Sequence, residues 1–118
     1  MSCSPVVARC YTEIVERFGV RRETWTAGKV TAVATTAPVG AEALASLSEL
    51  GLAVVAASVR GGPPAELQIG LFVARAAWNG AIRVVAQARA GGIGWLLDCE
   101  LRDEQGRLLS AAFAALPP

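Results

Sequence analysis

Apolar positions along this chain switch between a helical period and a strand period, and each switch is marked by glycine or proline. In residues 4–18, Val7, Cys10, Tyr11, Ile14, Val15 and Phe18 recur at helical spacing. Ser4 can cap that helix, Pro5 suits its first turn and Gly19 ends it. Residues 20–25 and 29–36 then read as two strands around an Ala27-Gly28 turn, the second with Val30, Ala32 and Ala34 alternating with Thr31, Val33 and Thr35. Pro38 and Gly40 stop the strand period.

The next stretch, GAEALASLSELGLAVVAASV from Gly40 to Val59, predicts a central helix over about 41–57. Alanine and leucine dominate it, and both are strong helix formers. Leu44, Leu47, Gly51, Val54 and Val55 share one face, while Ala43, Ala45, Leu50, Leu52, Ala53 and Ala57 cover most of the rest. A helix apolar on all sides belongs inside a protein or a membrane. The run from Leu50 to Ser58 is too short for a span of about 20 apolar residues, so burial in protein is expected. Within Ala43 to Val59 the only charge is Glu49. A buried carboxylate is costly unless it is paired, protonated or used. Its candidate ion-pair partners are Arg60, Arg75, Arg83 and Arg89.

After the loop 60–64, RGGPP, the pattern predicts four antiparallel strands over 65–76, 81–90, 93–103 and 107–116. Asn79-Gly80, Gly91-Gly92 and the run 103–106 are the turns. The whole reads as one α+β domain over 1–118, a curved antiparallel sheet of five or six strands around one long helix.

Composition narrows the chemistry. The chain is 53% hydrophobic and 18% charged, more apolar than a typical soluble monomer, so a second subunit is expected to cover part of it. Net charge is +1 and no basic tract is interleaved with aromatics, which argues against nucleic acid. Residues 1–20 carry no visible signal or transit pattern, so a cytoplasmic location is expected. The 3 cysteines are scattered, which fits reduced thiols rather than a disulfide framework.

Histidine is absent. That removes Ser-His and Cys-His nucleophiles and leaves few ligands for zinc, so no metal is expected. Acid–base chemistry near neutrality then falls to a carboxylate, Lys29, Tyr11 or bound water. Ser46 and Ser48 read as small helix residues, and Trp25, Trp78 and Trp95 as core or interface anchors.

The segments LASLSELGLAVVA (Leu44 to Ala56), LQIGLFVARAA (Leu67 to Ala77) and RVVAQARAGGIGWLLDCELRDEQGRLLSAAFA (Arg83 to Ala114), in this order and spacing, resemble the hotdog-fold thioesterases of the phenylacetate-degradation type. The likeness runs from Phe18 onward. It implies a hotdog fold and hydrolysis of a small or medium acyl-coenzyme A thioester, aromatic acyl groups included. Glu49 takes the family's helical carboxylate as base or nucleophile, and the Gly40-Ala41 turn its oxyanion site. Val39, Arg75, Arg89, Gly91 and Gly92 become substrate-binding candidates, the last two as backbone contacts to a coenzyme A phosphate. Coenzyme A enters as part of the substrate and no separate cofactor is implied. The partner implied is a second copy, as a dimer or a dimer of dimers, with no membrane or nucleic acid.

Two departures stand out. The Asn or His followed by Gly-Gly before the family's helix is replaced by Ala37, Pro38, Val39 and a single Gly40, and the usual Arg-Pro of the strand by Arg75-Ala76. The shortened loop keeps open an alternative: a catalytically silent hotdog domain that binds acyl thioesters or serves as a structural subunit. A hotdog dehydratase is disfavoured, because those enzymes rely on histidine.

Overall fold

A computed structural model of the chain describes residues 12–61, 67–92 and 94–117. The expected N-terminal helix 4–18 falls partly outside them; residues 12–17 are helical. Six strands follow: β1 (Val20–Thr26), β2 (Lys29–Ala34), β3 (Gly70–Val73), β4 (Ile82–Gly91), β5 (Gly94–Arg102) and β6 (Leu108–Leu116). They form one sheet in the order β1-β2-β4-β5-β6-β3, with every pairing antiparallel. The central helix, Ala41–Arg60, lies across one face.

Strand alternation puts Val30, Ala32, Ala34, Ile82, Val84, Ala86, Leu97, Cys99 and Leu101 under the helix, all buried. Leu44, Leu47, Leu52 and Val55 of the helix close that core. Small residues let the layers approach. A Cβ added at Gly51 would stand 2.7 Å from Cys99 Sγ and 3.2 Å from Val84 Cγ1. Burying a branched aliphatic side chain stabilises by about 1.5–3 kcal/mol, so this layer carries most of the fold's stability.

The helix is longer than expected, and it is not buried all round. Ala41, Glu42, Ala45 and Glu49 are exposed. A single open sheet can cover one side of a helix only, and these positions lie on the other.

The strand expected over 65–76 is also much shorter. Residues 62–66 lie outside the described ones, and β3 ends at Val73. The amides of Ala74 and Arg75 both donate to the Leu109 carbonyl, at 2.8 and 3.0 Å, so the ladder with β6 stops there.

The two edges of the sheet differ. β1 carries Arg21, Arg22 and Glu23 and its register shifts between Arg22 and Thr24. β3 reads GLFV, exposed along its whole length and uncharged.

Candidate active site

Glu49 stands midway along the central helix, on its uncovered side. This corrects the expectation of a buried carboxylate. It also removes the structural pairing as an explanation: among the described residues no ion pair or hydrogen bond reaches Glu49. Of the four candidate partners, Arg83 instead pairs with Glu23 at 3.1 Å and Arg89 approaches Asp98 at 3.9 Å. Neither Arg60 nor Arg75 forms an ion pair among the described residues.

The helix begins at Gly40, whose φ of 143° is a conformation that favours glycine. Among the described residues no side chain caps this end. The first amides of the helix therefore keep their hydrogens free, at the positive pole of the helix dipole. Glu42 sits in the first turn and is exposed. Val39, just outside the helix, is 61% exposed.

Glu49 and these amides are separated along one helix. At ~1.5 Å per residue, Ala41 and Glu49 stand about 12 Å apart along the axis. One thioester carbonyl cannot touch both groups of the same helix.

The remaining candidates divide between the two ends of the sheet. Arg75 follows β3 and is held by its amide to Leu109, near the start of β6. The C-terminal end of the helix is located by the Gly28 amide, which donates to Ser58 Oγ at 3.0 Å, and by the Ala88 amide, which donates to the Gly28 carbonyl at 2.9 Å. Arg89, Gly91 and Gly92 come directly after Ala88, so they belong to that end. A helix of 20 residues, about 30 Å long, separates them from Gly40 and Ala41. A single chain therefore brings Glu49 near neither group, and it keeps Gly40-Ala41 away from Gly91-Gly92.

The flank of the helix beside β3 is apolar and open. Leu71 and Val73 point to the helix side, opposite Ala112 and Ser110 of β6, and both remain exposed. Leu67 and Ile69, just before β3, are half-buried against the core. All four side chains were read in the sequence only as strand residues; the open position of Leu71 and Val73 at a sheet edge was not visible there. Gly91 and Gly92 line a separate apolar pocket of about 470 Å³ with Trp95, Leu96 and Leu116.

Other polar groups have structural roles. Asp103 is buried in the β5–β6 turn, where it accepts hydrogen bonds from the amides of Gln105 and Arg107 and from Arg107 Nε at 2.8 Å. Burial acts to raise its pKa, but the Arg107 amide and guanidinium and the Gln105 amide outweigh it and hold the carboxyl below its ordinary value. The Cys99 thiol is pushed up to about 12, first by burial and then by the charges of Asp98 and Glu100. Such a thiol is inert. Among the described residues no group of three or more His, Cys, Asp or Glu side chains could hold a metal.

No family sequence profile and no curated protein sequence matches this chain. Solved structures do. A hypothetical thioesterase from Streptococcus pneumoniae, crystallised with coenzyme A, is 15% identical with a TM-score of 0.75, covering 95% of this chain and 96% of its own. The PaaI protein of the Escherichia coli phenylacetic acid degradation operon is 16% identical with a TM-score of 0.73, covering 94% of each chain. A Streptococcus mutans protein bound to acetyl-CoA is 11% identical with a TM-score of 0.71, covering 83% of this chain and 86% of its own. A six-stranded antiparallel sheet with one long helix across its face, superposing on these thioesterase structures over nearly the whole chain, makes this a hotdog-fold protein.

Proposed function

We propose that the protein is an acyl-coenzyme A thioesterase whose site is completed by a second copy of the chain. The observation that carries this reading is Glu49: a carboxylate without a partner among the described residues, exposed midway along the uncovered side of the central helix.

The geometry of the sheet edge supports a second copy. β3 is an uncharged edge strand with unpaired backbone groups, ready to add another strand. Antiparallel pairing of two β3 strands reverses one sheet relative to the other. The two central helices then run side by side in opposite directions. The N-terminal amides of one helix move toward Glu49 of the other, and Gly91-Gly92 of one copy moves toward the Gly40 end of its partner. This one operation would shorten the separations that defeat a single chain.

In the assembled site, the amides following Gly40 donate to the thioester carbonyl oxygen. One such donor contributes on the order of 10²–10³ in rate, because it meets the charge as it develops. Glu49 takes a proton from water as the water oxygen bonds to the carbonyl carbon; the carbon–sulfur bond then breaks and the proton goes to the departing thiolate. Direct attack by Glu49, giving an anhydride that water opens, uses the same geometry. Leu71 and Val73 offer the acyl group an apolar wall. The neighbours crystallised with coenzyme A and acetyl-CoA support this ligand class, and the phenylacetate-operon neighbour supports aromatic acyl groups as the first to test.

The test is hydrolysis of a panel of short, medium and aryl acyl-CoA thioesters, followed by thiol release, with Glu49→Gln as control. Turnover that depends on Glu49 supports the reading. Binding of acyl-CoA without turnover would replace it with a silent acyl-thioester binding domain.

A further inference from the structure

On the sheet face away from the helix, three arginines share one cross-strand row. Arg21 of β1 pairs with Val33 of β2, Val33 with Arg83 of β4, and Arg83 with Arg102 of β5. Directly paired residues project to the same side of a sheet. Ile82 and Val84, which flank Arg83 in sequence, are buried under the helix, so the row faces the other way. Like charges directly opposite one another destabilise a sheet, and Arg83 and Arg102 are such a pair.

The row borders a pocket of about 510 Å³, whose lining includes Val33 and Ala81. Donors and acceptors in that lining do not balance. Of its two carboxylates, Asp103 is committed to the Gln105 amide and to Arg107, and Glu104 Oε1 accepts from the Ala81 amide at 3.1 Å. The carboxylates that answer the arginines stand outside the lining: Glu23 holds Arg83 at 3.1 Å and Glu100 holds Arg102 at 3.2 Å. Arg102 also donates to the Gly106 carbonyl at 2.9 Å. These contacts orient both guanidiniums from one side, and a guanidinium has more N–H groups than one carboxylate takes. Arg21 makes no ion pair or hydrogen bond among the described residues.

We infer that this pocket is an anion site for a small molecule carrying a diphosphate, on the opposite side of the sheet from the helix that carries Glu49. Neighbouring strands lie ~4.8 Å apart, so Arg83 and Arg102 share one phosphate group, while Arg21, about 10 Å from Arg83, reaches a second. The planar arginine fork matches phosphate oxygens. A diphosphate supplies the acceptors that the lining lacks, and Val33 and Ala81 leave an uncharged surface for the rest of the ligand. A free nucleotide and coenzyme A both carry this group, and the test separates them. The site belongs to one chain and does not depend on the β3 pairing.

Calorimetric titration at low ionic strength tests it, with inorganic pyrophosphate, ADP and free coenzyme A as probes. The proteins are the wild type, Arg21→Gln, Arg83→Gln and, as control, Lys29→Gln, which removes a cation of the same sheet face outside the pocket. The wild type should bind pyrophosphate and ADP at one site per chain. Each arginine variant should weaken binding about tenfold or more, with unchanged circular dichroism, and Lys29→Gln should not. Binding of coenzyme A alone, weakened by the same two variants, would support the site and assign its phosphates to the substrate. Failure of all three probes to bind, arginine variants that bind as the wild type does, or an equal loss in Lys29→Gln would overturn the site.

Discussion

Gly51 of the central helix lies directly on Cys99 of β5, so close that a Cβ at position 51 would stand 2.7 Å from the sulfur. Helix and sheet touch here through a missing side chain on one layer and a soft atom on the other. Glycine costs a helix interior roughly 0.8–1.0 kcal/mol relative to alanine, and here the close approach offsets that cost. Gly51→Ala should therefore destabilise by about 1–3 kcal/mol through overpacking. In a Cys99→Ala background the sulfur is gone, and the same change should become neutral or slightly stabilising. Denaturant melts of the wild type, both single variants and the double variant close the cycle; additive effects would show that the contact is slack.

Glu49→Gln should abolish most hydrolysis while leaving stability within about 0.5 kcal/mol, as for other exposed positions without special contacts. The expected fall in kcat is on the order of 10²–10⁴ for a lost general base. Steady-state kinetics and a melt on one variant decide it. A large loss of stability with retained turnover would assign Glu49 to scaffolding.

Leu71→Lys puts a charge into the proposed junction between copies. It should convert the oligomer to monomer and remove hydrolysis together, with circular dichroism unchanged. Light scattering beside the thiol-release assay reads both. A fully active monomer would show that one chain holds a complete site.

Asp103 provides an acid-sensitive point. Its folded-state pKa lies below the unfolded value of about 3.9, so the unfolded chain binds its proton first as pH falls. Its contribution is fully present above about pH 4 and is lost as pH drops through the depressed value. Asp103→Asn should lower stability at pH 7 and flatten the pH dependence below 4. A variant that keeps the wild-type slope would assign acid sensitivity to other carboxylates.

Cys99 should resist thiol reagents at pH 8 in the folded protein and react on denaturation, since burial pushes its thiol up to about 12. A Cys3→Ser/Cys10→Ser chain isolates its signal. Rapid modification without denaturant would mean that the helix–sheet layer opens readily.

Much of the fold was legible because glycine, proline and asparagine mark every turn from Ala27-Gly28 to Gly106, and because β4, β5 and β6 alternate cleanly. Two elements were misread for the same physical reason, that a pattern does not say where its partner ends. The alternation around Leu67 to Ala76 suited a long strand, yet β6 stops offering a ladder at Leu109. Ala45 looks like a core residue, yet the sheet reaches only the opposite side of the helix. The candidate site was legible as a set of residue types but not as an arrangement. Nothing in the spacing of Gly40, Glu49 and Gly91 reveals that the helix holds them apart, since that depends on how the helix lies across the strands.

The contrast between the two sheet edges also sets a limit on growth. A chain with two bare edges could add neighbours at both and lengthen into a fibre. Here Arg21, Arg22, Glu23 and the irregular register guard one side, leaving Gly70–Val73 as the bare strand. Antiparallel union of two such strands uses up both at once, so the product has no adhesive strand left to recruit a third sheet edge to edge. The bare edge that favours association of the lone chain would make the proposed pair self-terminating, and mutations that smooth or neutralise β1 should be the ones that promote open-ended aggregation.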